Sequence, residues 1–285
     1  MAERAIMAPA FMLLLDHLHR GRRLRVWSIV VSVFGDSIAP RGGRAAMSDL
    51  QTIASALGIE GGALRTAMSR LAKEGWVERE REGRNSFYRL SQMRDSDLAE
   101  ASRRIYAPSF VAPPGPWHVA VDGPASARTV SDALPIARNV RLLSAEDTEQ
   151  ARADGCLVLK ATAESAPDWI ADVAFGTDLI DEYRALSKLF VPLAEATAAL
   201  VKEDPLNTLV ARTLAIHHWR RLILRHPPPP ANMIPSDWPG AVCHEALKAF
   251  YPVLVERSEA WWSERTSGRG RQILASRFAP GSHAS

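Results

Sequence analysis

Two amphipathic repeats set back to back between Ser48 and Gly75, with a basic hairpin directly behind them, constrain this chain more than any other feature. Leu50, Ile53, Ala54 and Leu57 fall at i, i+3, i+4 and i+7 behind a Ser48-Asp49 start signal, and Gly58 follows the last of them. Leu64, Ala67, Met68 and Leu71 repeat the spacing until Gly75, so Arg65, Thr66, Ser69, Arg70 and Lys73 are left on the other faces. The Gly58-Ile59-Glu60 link is short enough to fold the two predicted helices sharply against each other, as a helix-turn-helix requires. Trp76-Val77-Glu78-Arg79-Glu80-Arg81 and Ser86-Phe87-Tyr88-Arg89-Leu90 then read as strands joined by a Glu82-Gly83-Arg84-Asn85 turn, which makes a wing.

This grouping points to a DNA reader. Arg65, Thr66, Ser69 and Arg70 are expected to face bases, and Arg41, Lys73, Arg81 and Arg84 to meet phosphates, because each guanidinium offers a planar fork of donors to an anion. Arg44, Asn85 and Tyr88 complete the expected DNA-binding set. The competing reading is a small interaction module whose hairpin, carrying Glu78, Glu80 and Glu82, is a solvated mixed-charge surface. Charge distribution favours the first. Residues 1–92 hold 14 lysines and arginines against 9 acids, while the whole chain holds 35 against 32.

Ahead of the repeats, Arg22–Asp36 reads as a first core helix with a wide apolar face of Leu24, Trp27, Ile29, Val30, Val31, Val33 and Phe34. The Gly35–Gly43 loop carries Arg41 and leads to Arg44; it is either a flexible turn or a place where the backbone approaches a phosphate closely. Trp76, at the helix-to-wing junction, is expected to be a core anchor.

Three segments of this region resemble the PaaX-type transcriptional repressors of aromatic-acid catabolism: Val33-Phe34-Gly35-Asp36 with Pro40-Arg41-Gly42-Gly43, Ala63-Leu64-Arg65-Thr66-Ala67-Met68-Ser69-Arg70-Leu71 with Gly75-Trp76, and Gly83-Arg84-Asn85-Ser86-Phe87-Tyr88. His218-Trp219-Arg220-Arg221 and Pro235-Ser236-Asp237-Trp238-Pro239-Gly240 are similar to that family's carboxy-terminal signatures, so the likeness runs from Arg22 to about Tyr251. The resemblance implies a homodimeric repressor that binds double-stranded operator DNA and is released by an aryl acyl-CoA, typically phenylacetyl-CoA. It also implies a ferredoxin-like, Cas2-like middle domain. Chemically, such an effector needs cations for its phosphates and an aromatic slot, and His217, Trp219, Arg220, Arg221 and Trp238 are the residues expected to supply them.

The remaining organisation follows from breakers and periodicity. Pro108, Pro113, Pro114 and Pro116 mark a linker. Trp117–Val121, Asn139–Leu143 and Cys156–Lys160 are short β-prone runs, whereas Asp168–Phe190, Leu193–Val201, Leu206–Leu224 and Ala241 to Trp262 are helical. The expected chain is therefore α+β and mostly helical. Its parts are an amino-terminal extension (1–21), a winged helix (22–92), a linker (93–116), a small α+β domain (117–167), a helical carboxy-terminal domain for dimerisation or effector sensing (168–265) and a disordered tail (266–285).

Several functional classes lose support. No apolar run reaches the twenty or so residues of a membrane helix, and Phe11–Leu15 is too short for a signal peptide, so a cytoplasmic location is expected. Cys156 and Cys243 lack metal-ligand spacing and read as reduced packing residues. There is no nucleotide-binding glycine loop, nucleophile elbow or metal-ligand helix, so no catalytic residue, metal or cofactor is expected, and an acyl-CoA enzyme with an appended wing is disfavoured. The runner-up function is a Cas2-like metal-dependent nuclease or a non-enzymatic nucleic-acid scaffold. It rests on Asp122 after the first middle-domain strand, and a lone carboxylate there is more simply a turn residue before Gly123-Pro124.

Overall fold

The computed structural model describes residues 25–111, 117–130, 133–145, 147–162, 165, 167, 169–200, 204–226, 228–229, 231, 233–234, 237–265 and 276–279, with Leu13 and Asp16. Most of the expected amino-terminal extension, the start of the first core helix and most of the expected tail lie outside these residues. The chain is mixed α+β and mostly helical, with two small antiparallel sheets.

The first helix, α1 (Val26–Val33), buries Ile29, Val30, Val31 and Val33. It does not give way to a loose loop. A π-helical turn, Phe34–Ile38, and a 3-10 turn, Ala39–Arg41, continue the winding and bury Phe34, Asp36, Ser37 and Ile38. Gly42 (φ 89°) and Gly43 (φ 72°) then take the left-handed backbone that turns the chain into β1 (Arg44–Ala46). This strand has three residues, too few for an alternation to be read from sequence.

Next, α2 (Met47–Ala56) buries Leu50, Ile53 and Ala54, and α3 (Gly61–Lys73) buries Leu64, Ala67, Met68 and Leu71, the two periodicities read from the sequence. Asp49 sits in the first turn of α2, where the helix dipole favours an anion, although Ala46 rather than Ser48 occupies the N-cap. The hairpin is β2 (Val77–Glu82) and β3 (Asn85–Leu90), paired without slip from Val77↔Leu90 to Glu82↔Asn85, and β1 adds on the other side of β3. Within the stretch expected as a linker, α4 (Asp95–Ile105) is a regular helix with Asp95 and Asp97 in its first turn and Arg103 and Arg104 in its last, the charge order its dipole favours.

The second sheet comprises β4 (Trp117–Val121), β5 (Leu134–Ala137), β6 (Val140–Leu143) and β7 (Leu157–Ala161), with α5 (Thr148–Ala153) between the last two. All neighbours are antiparallel, in the order β5-β6-β4-β7. One face closes over Ala120, Val130, Leu143, Ala151 and Cys156. Pro135 hid β5 from a sequence reading, since proline demotes a central strand; here it lies in an edge strand with an irregular register.

Four further helices follow among the described residues: α6 (Trp169–Glu195), broken in its φ/ψ at Gly176 (φ 71°, ψ 153°), α7 (Thr197–Leu200), α8 (Pro205–Ile223) and α9 (Pro239–Ser263). Two compact units result, and neither is contiguous in sequence. One combines Met1–Pro108, Leu189–Arg220 and Ala246–Ser285; the other combines Ser109–Lys188 and Arg221–Glu245. The segments expected from sequence as a linker and as a single carboxy-terminal domain are each divided between them.

Candidate nucleic-acid interface

Burial of Leu64, Ala67, Met68 and Leu71 fixes the orientation of α3 and leaves Arg65, Thr66, Ser69, Arg70 and Lys73 exposed on the same helix. The helix starts with two glycines, so nothing bulky stands in front of Arg65, whose Nη1 lies 3.6 Å from where a Gly61 β-carbon would be. Thr66 Oγ1 donates back to Gly62 O at 3.1 Å. Arg70 is partly diverted: its Nε donates to Glu74 Oε1 at 2.7 Å, and its guanidinium lies 5.1 Å from the centroid of Trp27. Arg65 and Lys73 form no ion pair with any described residue. A stripe of guanidinium, hydroxyls and ammonium on an otherwise apolar helix has the donors and acceptors that base edges and phosphates require.

The hairpin separates its charges by strand alternation. Pairing places Glu78, Glu80, Glu82, Phe87 and Arg89 on one face together with Arg44 of β1, and Arg79, Arg81, Ser86 and Tyr88 on the other. On the first face Arg44 Nε donates to Glu80 at 2.9 Å, its Nη2 pairs with Glu82, its guanidinium stacks 3.7 Å from the Phe87 centroid, and Arg89 reaches Glu80 at 3.3 Å. The hydrogen bond to Glu82 is the main cause pushing the Arg44 pKa further up, so this arginine is a charged partner of two acids. The second face is the cationic one. Arg81 has no ion pair among the described residues, Arg79 donates to Ser86 Oγ at 2.9 Å, and Arg84 and Asn85 are exposed at the tip, where Gly83 (φ 60°) makes the tight turn. Strand alternation places Arg79 beside Arg81 on this face.

Arg41 sits elsewhere. Its side chain is 2% exposed and paired with Glu259, and Nη1 donates to Ser37 O, so it is removed from the expected phosphate contacts. It belongs to a buried charge network centred on Asp36, whose carboxylate receives Arg212 Nε at 2.7 Å, Arg277 Nη1 at 3.3 Å, Tyr106 OH at 2.6 Å and Tyr251 OH at 2.7 Å. Arg212 also reaches Glu259 at 3.2 Å. Burial alone pushes the Asp36 carboxyl up, but the charges of Arg212 and Arg277 and the two tyrosine hydrogen bonds outweigh it and hold it below the usual carboxylate range.

The residues expected to bind an effector occupy two environments. In the first unit, His217 Nδ1 lies 3.1 Å from Ser32 Oγ, Trp219 is fully buried with Nε1 donating to Ile105 O at 2.8 Å, and Arg220 donates to Ser28 Oγ at 2.8 Å. These contacts fasten α8 to α1 and to the end of α4. In the second unit, Arg221 is exposed, and Trp238 packs against Phe110 at 5.4 Å, Phe175 at 4.8 Å and Tyr183 at 5.2 Å between ring centroids. Tyr183 OH is 2.7 Å from His226 Nε2 in the same aromatic cluster.

Asp122 is the centre of an ion-pair set, with Arg141 at 2.7 Å, Arg128 at 2.9 Å and the Cys156 thiol donating at 3.3 Å. Desolvation raises its pKa, and the hydrogen bonds from Arg141 and Cys156 with the charges of Arg141 and Arg128 more than reverse this. Among the described residues no group of three or more His, Cys, Asp or Glu is placed to hold a metal, and no helix is long and apolar enough to cross a membrane.

Comparison with known proteins gives matches at both ends of the chain. The profile described as PaaX-like protein covers residues 25–94, and that described as PaaX-like protein C-terminal domain covers residues 176–264. A curated relative, the transcriptional repressor PaaX of Escherichia coli (strain K12), is 26% identical over 279 residues, spanning 90% of this chain and 87% of that protein. The solved structure of an uncharacterized protein from Mycobacterium tuberculosis shares the fold, with TM-score 0.50 and 24% identity over 82% of this chain and 97% of that one. With two family profiles together spanning more than half of its length, this chain belongs to the PaaX family.

Proposed function

We propose that this protein is a DNA-binding transcriptional repressor of an aromatic-acid catabolic operon of the phenylacetate type, working as a homodimer in the cytoplasm and released by an aryl acyl-CoA such as phenylacetyl-CoA. The observation that carries the DNA-binding reading is α3, whose exposed Arg65, Thr66, Ser69 and Lys73 accompany a hairpin with a cationic face and tip at Arg79, Arg81 and Arg84. In this reading α2 and α3 are a helix-turn-helix and β1–β3 its wing. Arg65, Thr66, Ser69 and Arg70 read base edges, while Lys73, Arg79, Arg81, Arg84, Asn85 and Tyr88 position the backbone. We read the second sheet as ferredoxin-like; the strand order β5-β6-β4-β7 with every pair antiparallel supports this. The effector is inferred from family membership, and Arg221 with the aromatic cluster around Trp238 has suitable chemistry for an aryl ligand.

Fluorescence anisotropy on DNA upstream of the gene and its neighbouring operons, with and without phenylacetyl-CoA, tests the reading. Arg65→Ala is expected to weaken specific binding by about 1–3 kcal/mol with little change on random DNA, whereas Arg84→Ala weakens both and lowers the salt slope by about one. Equal losses on specific and random DNA for Arg65→Ala would remove it from the base-reading set. Specific binding indifferent to every CoA ester would retain the repressor and discard the ligand.

A further inference from the structure

We infer that Arg70 is the guanine-reading residue of α3, and that Glu74 and Trp27 are the positioning residues that set its guanidinium for that task. The inference rests on the operator-binding reading and names the base that α3 selects. Arg70 Nε donates to Glu74 Oε1 at 2.7 Å, and the guanidinium carbon lies 5.1 Å from the centroid of Trp27, in the first turn of α1. Nη1 and Nη2 donate to no described residue, and the side chain is 54% exposed. A carboxylate at Nε and an indole alongside therefore restrain the arginine and leave its outer edge open.

The holder is itself anchored. Glu74 closes α3: its N–H donates to Arg70 O at 2.9 Å, and Gly75 (φ 71°) turns the chain away directly after it. Arg94, from beyond the hairpin, donates Nη2 to Glu74 O at 3.4 Å, while its Nη1 pairs with Asp97 at 3.0 Å and its guanidinium lies 4.7 Å from the Trp76 centroid. Trp27 is carried by α1, which packs directly against α3. Arg65, by contrast, forms no ion pair with a described residue, so fixing it on a base costs more side-chain freedom.

With Nε occupied, the fork that remains is the end-on pair Nη1 and Nη2, which offers parallel N–H donors in one plane. Guanine is the one base whose major-groove edge presents two adjacent acceptors, N7 and O6. Adenine and cytosine each present an amino donor there, and thymine one acceptor beside a methyl group. The Arg70–Glu74 pair carries no net charge, so it adds little to the sequence-independent attraction of phosphates. An arginine meant only for phosphate is weakened by an acid at its Nε, whereas one that must present a fixed plane to a base edge is helped by it. Lys73, three residues further on, exposed and without an ion pair among the described residues, suits the phosphate role instead.

Selection by the full chain from a duplex library with a randomised core supplies the site, and anisotropy on that duplex with each base pair replaced in turn reads the discrimination. Replacing one guanine by adenine should weaken wild-type binding about ten- to a hundredfold, and 7-deazaguanine, which lacks only the N7 acceptor, about tenfold. Arg70→Lys keeps the charge without the fork and should level that position alone. Glu74→Ala should cut the guanine discrimination by about threefold to tenfold yet tighten binding to random DNA, since an acid has left the interface; a merely structural role would lower both together. Glu74→Gln, which keeps an acceptor for Nε, should restore part of the discrimination. Trp27→Leu should lower it as well, and Trp27→Phe should retain it. A library that yields no site overturns the operator-binding reading and this inference with it. A site in which no guanine matters, a guanine that Arg70→Lys still discriminates, or full discrimination in Glu74→Ala overturns the inference alone.

Discussion

At the residue scale, Asp36 carries the largest expected consequence. It is fully enclosed, and its partners Arg212, Tyr251 and Arg277 come from positions 176 to 241 residues further along the chain. Asp36→Asn keeps the side-chain shape but removes the carboxylate charge that faces Arg212 and Arg277, and breaking one partner of a buried pair costs about 3–5 kcal/mol. Equilibrium denaturation in urea should show a loss of that size; a change below about 1 kcal/mol would mean that the network adds little. The pH dependence has a definite sign. Because the folded Asp36 pKa is depressed, its contribution is complete above the ordinary carboxylate value of 3.8 and is lost as pH falls through the folded value. Burial first, and the Asp36 charge second, push Tyr251 up from 10.0 to about 12, so its contribution is complete below pH 10 and lost on the way to 12. Tyr251→Phe should flatten part of that alkaline limb. None of this was legible in the sequence: Asp36 looked like the end of a helix before a glycine loop, and no local spacing announces a partner so distant.

At the scale of elements, the helices were legible and the sheet edges were not. The spacing of Leu50 to Leu57 and of Leu64 to Leu71 located α2 and α3, because a helix repeats often enough to show its period. Strand β1 is too short to do so, yet it decides which hairpin arginines are available. It brings Arg44 directly opposite Arg89, a like-charge pair that Glu80 bridges by contacting both. The sequence reading put Arg44 among the DNA contacts because it follows a glycine loop that could approach a phosphate, and the acids that engage it stand 36 and 38 residues further along. Glu80→Gln removes the shared counter-charge. The expected outcome is tighter binding to random DNA, with a salt slope steeper by about one to two as Arg44 and Arg89 become available to phosphates. Stability should change little, as exposed pairs contribute at most about 1 kcal/mol. An unchanged salt slope would show that neither arginine can reach the DNA.

At the scale of the whole molecule, the discontinuous first unit changes what the amino-terminal module is. Small DNA-binding modules are usually treated as separable, and the sequence suggested the same by placing a linker at 93–116 behind this one. Here α1 is held to α8 through Ser28 with Arg220 and Ser32 with His217, the end of α4 through Ile105 with Trp219, and the turn after α1 through Asp36 and Arg41 with Arg212, Tyr251 and Glu259. Residues 276–279 take part as well: Arg277 donates to Gly35 O at 3.3 Å, and the Phe278 ring meets Tyr106 at 5.4 Å and Tyr251 at 5.3 Å. Interleaving of this kind leaves no trace in local periodicity, because each helix only needs an apolar face and the identity of its partner is decided far away. The consequence is that a fragment spanning residues 25–108 contains every proposed DNA contact but not the unit that holds α1 in place. Its exposed α1 face, with Asp36 and Arg41 stripped of the ion pairs they make to Arg212, Arg277 and Glu259, should lower the melting temperature by at least about 15 °C relative to the full chain, the shift expected for a loss of about 3 kcal/mol in a domain of this size. Operator affinity should fall with it, and should recover when the fragment is mixed with the complementary segment at high concentration if α8 and α9 supply only support. A fragment that melts with the full chain and binds operator DNA equally well would show that the buried network joins two modules that are each stable alone.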